Sequence, residues 1–216
     1  MRSSPARVLR LPIEALVVCL LVLGACAVAT PRPPIPSSTT ASLAEGRGYV
    51  VVHVDTNTVV DELHAGRELI GQALPAGQHI WLIELPAGRH AWTGVRITFR
   101  DHAKTYRPEQ FVGLNEREFE FDVVEGRINY PGELVIRTDP KSYRFAVHRG
   151  RAGWVWNISI RNRNHSAMAI RRLAKTFDGL LASHPIRYAG TSGDGFLDYY
   201  SRERGRLAKA GGDDAK

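Results

Sequence analysis

At 216 residues the chain has room for one globular domain with appendages. Apolar residues at 44% and charged residues at 24% are ordinary for a folded protein, which excludes bulk disorder and a polytopic membrane protein. Two cysteines exclude a disulfide framework, and 29 Lys and Arg against 22 Asp and Glu leave a formal charge of +7.

The chain opens with Arg2, Arg7 and Arg10 and has no acid before Glu14; an apolar run from Ala15 to Leu23 follows, then Gly24, Ala25 and Cys26. That order of charged, apolar and small segments is the export signature. As a helix, Ala15 to Ala25 would be about 16 Å long, against a hydrocarbon core of roughly 30 Å. A removable signal therefore fits better than a permanent span. Leu23-Gly24-Ala25-Cys26 resembles the signal box of bacterial lipoproteins, in which small side chains enter the peptidase cleft and the thiol takes a diacylglyceryl group. The resemblance implies a signal peptide at 1–25, lipidation of Cys26 with acyl chains such as palmitate, and stable membrane anchoring. Ala27, where an Asp would mark inner-membrane retention in well-studied bacteria, points to the periplasmic face of the outer membrane. The alternative is an apolar cysteine of an ordinary signal, like Cys19.

Residues 26–46 read as a lipidated tether. Thr30 to Ser42 (TPRPPIPSSTTAS) is rich in Pro, Ser and Thr and has little with which to pack a core. In extended polyproline form, Ala27 to Gly46 would hold the domain up to roughly 60 Å from the membrane. A proline-rich ligand for a partner domain is the other reading.

From Arg47 strands dominate. Tyr49 to Val54 is a β-branched run, and Gln78 to Leu85 (QHIWLIEL) is apolar on both faces. Phe119, Phe121 and Val123 alternate with Glu118, Glu120 and Asp122. Leu134–Arg137 and Tyr143–Val147 predict two further strands, and Trp154, Trp156, Ile158 and Ile160 fall on one face of another. Leu74-Pro75-Ala76-Gly77-Gln78-His79 recurs as Leu85-Pro86-Ala87-Gly88-Arg89-His90, which predicts two chain reversals of hairpin type with the strand between them. Ile170, Leu173, Ala174, Phe177, Leu180 and Leu181 then predict one amphipathic helix over about 166–183, capped by Ser166 and packed on a sheet face or edge. Residues 190–216 read as a charged, Gly-rich flexible tail. The expected fold is mainly β: an antiparallel β-sandwich over 47–189 with a C-terminal amphipathic α-helix.

Within Gly48–Arg137, a strand, His64-Ala65-Gly66-Arg67, Leu74–Gly77, the strand Ile80–Leu85, Leu85–His90, the Phe119–Val123 strand and Gly126–Tyr130 resemble the succession found in PEGA-type domains of exported bacterial proteins. The resemblance implies a transthyretin-like sandwich and no activity. Arg100–Glu116 and everything beyond Thr138 depart from it.

No catalytic pattern stands out. Eight histidines (His53, His64, His79, His90, His102, His148, His165 and His184) form no HxH or HxxxH pair, so no metal and no cofactor is expected. Only His79 and His90 could meet across a hairpin. The loop Gly190–Gly195 lacks the residues of a phosphate loop or nucleophile elbow. No nucleic-acid motif accompanies the basic charge, so Arg171, Arg172 and Lys175 on the helix suggest anionic lipid or wall polymer. Trp92 is expected at the surface because it shares strand parity with Arg96 and Thr98, and Trp92, Arg96, Arg171, Arg172 and Lys175 form a possible ligand surface. The chain is expected to be a non-enzymatic envelope adaptor or structural module, with an envelope protein or peptidoglycan as partner. Glycan or peptidoglycan binding is the alternative, and a hydrolase would need a carboxylate pocketed against His148 or His102.

Overall fold

The computed structural model describes residues 33–35, 43–98, 109–148 and 151–213, with backbone alone for 140–148, 151–154 and 207–213. The signal segment, Cys26 and most of the tether lie outside these residues, as do the side chains of His102, His148 and Trp154. The strands are β1 (Arg47–Thr56), β2 (Val60–Ala65), β3 (Glu68–Leu74), β4 (Gly77–Pro86), β5 (Gly88–Thr98), β6 (Glu109–Gly113), β7 (Glu120–Val123), β8 (Ile128–Tyr130), β9 (Glu133–His148), β10 (Arg151–Arg163) and β11 (Ile186–Tyr188). The helices are α1 (Ser166–Thr176), α2 (Asp178–Ser183) and α3 (Gly195–Asp213).

β1 is central to the first sheet. Antiparallel β4 follows one edge from Arg47↔Pro86 to Thr56↔Gly77. On the other edge parallel β8 (Tyr49↔Ile128) gives way to parallel β9 (His53↔Glu133), and β11 and β10 extend the sheet outward. This sheet is mixed, so the antiparallel expectation holds only in part. The parallel pairs arise because the chain crosses the second sheet before it returns beside β1. The second sheet is antiparallel, β3-β2-β5, with β7 and then β6 on the far edge of β5.

The period of two on β1 sorts its residues onto two covered faces. Val50, Val52 and Val54 join Leu63, Trp92, Val95, Ile97 and Phe121 of the second sheet in one core. Tyr49 and Val51 join Leu82, Ile128, Ala169, Leu173, Leu181 and Leu197 beneath the helices. With both faces covered, the strand must be apolar throughout, which explains its unbroken β-branched run. Gly48 is fixed by a close crossing: a Cβ there would come within 2.5 Å of the Val124 carbonyl oxygen. Under that crossing the buried Asn129 amide donates to the carbonyls of Tyr49 and Val124 at 3.1 and 3.0 Å.

The two Leu-Pro-Ala-Gly turns are not hairpins. β4 pairs with β1 rather than with β3 or β5, so each turn carries the chain from one sheet to the other. Gly77 and Gly88 take φ of +135° and +129°, a conformation that L side chains rarely adopt. The repeated histidines lock these corners: His79 Nε2 donates to Pro75 O at 2.7 Å and His90 Nε2 to Pro86 O at 2.9 Å. His79 lies opposite Val54 and His90 opposite Phe121, in different sheets, so the two do not form a pair.

Four expectations outside the sheets change. The predicted single helix is two, broken at Phe177 (φ −132°, ψ 36°), whose ring is buried under them. Ser166 is its first residue and not its cap; the Ser166 N–H donates to Asn164 Oδ1 at 3.1 Å. The tail begins as α3, with Leu197 in the core, and Asp194 accepts the N–H groups of Phe196 and Leu197 at 3.0 and 3.2 Å. The tether is in part docked: Ile35 N–H donates to Leu82 O at 2.9 Å on the outer edge of β4, and Ile35 and Leu43 pack on the helix-side core. Ile35 is the one large aliphatic residue of the Pro/Ser/Thr stretch, and an edge strand offers unpaired backbone groups to receive it.

Candidate functional site

The helix-side face of the first sheet changes character along β1. Tyr49 and Val51 meet apolar neighbours, but the next residue of that parity is His53, wholly buried. Its partner across the ladder is Glu133, the first residue of β9 and 1% exposed. Tyr130, at the end of β8, is buried beside them, and His165, just before α1, closes the group from above.

The hydrogen bonds assign the protons. The His165 backbone N–H donates to the Tyr130 hydroxyl oxygen at 3.3 Å, which leaves the hydroxyl proton for His53 Nδ1 at 3.2 Å. Neutral His53 then carries its proton on Nε2, 3.1 Å from Glu133 Oε1 though bent out of the hydrogen-bond line. Glu133 Oε2 is bonded to His165 Nδ1. The carboxylate thus lies at the start of a helix, where the peptide dipoles favour negative charge.

The environment holds this protonation pattern. Burial, then the nearby charges of Arg172 and His165, pull the His53 imidazole down to about 4 and keep it neutral. Burial pushes the Tyr130 phenol far above its ordinary range, so it remains a donor. Asp194 is also buried, which by itself would raise its carboxyl, but hydrogen bonds from Asn164, Ser166 and the Leu197 and Phe196 amides outweigh this and hold it low. Asn164 Nδ2 donates to Asp194 Oδ2 at 2.9 Å, so the starts of α1 and α3 are tied together.

A half-exposed imidazole oriented by a buried carboxylate is half of a catalytic arrangement. The other half is missing among the described residues: no hydroxyl or thiol bonds to the His165 ring, and no three His, Cys, Asp or Glu side chains converge as metal donors. What the group does in the structure is fasten α1 to the sheet. Sequence reading missed it because His53 stands inside a valine run, far along the chain from Glu133 and His165. The usable signal was its parity with Tyr49 and Val51, which placed an imidazole on a buried face.

The predicted surface residues separate. Trp92 is a correction: it is 0% exposed, its ring 4.9 Å from that of Phe121. On β5, Gly94 lies opposite His64 but Trp92 lies opposite Ala65, so Thr93 is an extra residue in the strand. This bulge reverses the parity, turning Trp92 inward with Val95 and Ile97 while Arg96 stays outside. Arg96 Nε donates to Glu62 Oε2 at 2.9 Å, and the aromatic beside it is Phe111, 53% exposed, whose ring lies over Gly94. Arg171 and Lys175 are exposed on α1, while Arg172 turns back to bond the Gln78 side chain of β4. Cys26 lies outside the described residues.

Comparison with known proteins adds no identification: no family model matches the chain, and no curated protein or solved structure matches it significantly.

Proposed function

We propose that the chain is a non-enzymatic lipoprotein of the bacterial cell envelope, anchored through Cys26 at the periplasmic face of the outer membrane, whose body is an interaction module. On this reading the two sheets are the layers of a β-sandwich of PEGA-like kind, here with a mixed sheet and an added helical layer. The observation that carries the proposal is the spacing of Cys26 and Ile35: the acylation box ends nine residues before Ile35, which among the described residues makes the first contact with the body. A folded unit begins where a lipoprotein needs one. The buried His53–Glu133 pair, tied through Glu133 to the half-exposed His165 at the start of α1, supports a structural role for these polar residues.

Metabolic labelling with palmitate tests the anchor. The natural chain should incorporate label and partition with membranes, and Cys26→Ser should do neither; equal labelling of both would overturn the reading. Glycan or peptidoglycan binding stays as the second reading on one observation, the exposed Phe111 held beside Arg96. Pull-down on purified peptidoglycan, with Phe111→Ala as the control, decides it.

A further inference from the structure

We infer that the helical layer is a second membrane contact, its α1 and α3 surface resting on anionic phospholipid headgroups. This inference rests on the lipid-anchor reading and adds an orientation to it.

The link in sequence between Cys26 and the body is short, and its described end, Ile35, lies on one side of the body. Because Ile35 is fixed to β4 and packs on the helix-side core, only the nine residues Cys26 to Pro34 separate the acylation site from that point of attachment. Even fully extended in polyproline form that is about 28 Å. A folded unit of this size has a radius of gyration of roughly 16 Å, and hence a diameter on the order of 40 Å. A leash shorter than the body cannot pass around it. The side on which Ile35 enters, which is the side of the helices, is held toward the bilayer.

That side has matching chemistry. α1 carries Arg171, Arg172 and Lys175 and no acid, and among the described residues none of the three meets a carboxylate. Of the acids from Asp178 to Glu203, Asp178 pairs with Arg204, Glu203 pairs with Arg206, and Asp194 is buried as the α3 cap; Asp198 is exposed, and Asp213 and Asp214 follow at the end of the chain. Exposed apolar groups accompany the cations: Met168 precedes Arg171 and Lys175 on one face of α1, and Phe196 and Tyr199 precede Arg202 on one face of α3. Apolar side chains among cations on a surface helix suit the headgroup boundary, where each Lys or Arg near an anionic surface strengthens binding about fivefold.

The test uses the lipidated full chain reconstituted into vesicles of phosphatidylcholine, with or without 30% (about one lipid in three) phosphatidylglycerol, and hydroxyl-radical footprinting read by mass spectrometry. With the anionic lipid, oxidation of Met168 and Tyr199 should fall at least about fivefold, while that of Phe111 on the opposite sheet stays unchanged. Arg171→Glu with Lys175→Glu should restore oxidation to the phosphatidylcholine level while the protein remains vesicle-bound. Equal oxidation of Met168 in both vesicles overturns the inference and leaves the anchor reading intact. Protection that persists without vesicles and fades on dilution overturns it in favour of a second copy of this chain. Failure to partition into either vesicle removes the anchor reading and the inference with it.

Discussion

The two faces of β1 are buried to the same degree by different means. Toward the second sheet, Val50, Val52 and Val54 meet Leu63, Trp92 and Ile97, and the contact is shape and apolar area alone. Toward the helices, the apolar pattern stops at His53, and the rest of the face is closed by a chain of hydrogen bonds through Tyr130, Glu133 and His165. An apolar face is indifferent to pH. A face closed by protons is not, and its strength lies where one helix starts. The chain therefore has a rigid between-sheet core and a helical layer whose attachment depends on protonation.

The largest expected effect tests the apolar face. Trp92→Ala should cost about 3–5 kcal/mol in urea denaturation, because the buried ring packs against Phe121 and its removal leaves a cavity between the sheets. Acid titration comes next and tests the other face. His53 titrates near 6.5 when unfolded and at about 4 in the fold, so the folded state binds fewer protons between those values. Its contribution is complete above pH 6.5 and is lost as the pH falls toward 4, roughly 3 kcal/mol in all; His53→Leu should flatten that slope. Glu133→Gln removes one charge at constant shape and should cost about 2 kcal/mol, with faster amide exchange across α1 and unchanged exchange in β5. The smallest effect belongs to the corners: His90→Ala should cost about 0.5–1 kcal/mol, measurable in thermal unfolding.

Much of the β architecture was legible because burial leaves a period. The runs at Tyr49–Val54 and Gln78–Leu85 and the alternation of Phe119, Phe121 and Val123 each correspond to described strands or their buried residues. Where reading failed, a local irregularity intervened. One extra residue at Thr93 reversed the face of Trp92, and one non-helical residue at Phe177 split a continuous apolar stripe. β8 and β11 have three residues each, too few to show a period, so the parallel pairing they create was invisible. The polar centre was hidden for a different reason. Its members are brought together only by the β1–β9 ladder and the seating of α1, and no spacing along the chain encodes that meeting.

Intact-mass analysis of the protein extracted from membranes tests the central claim most directly. The account predicts a mature chain that begins at Cys26 and carries the mass of its lipid; an unmodified chain that retains Met1 through Ala25 would contradict it.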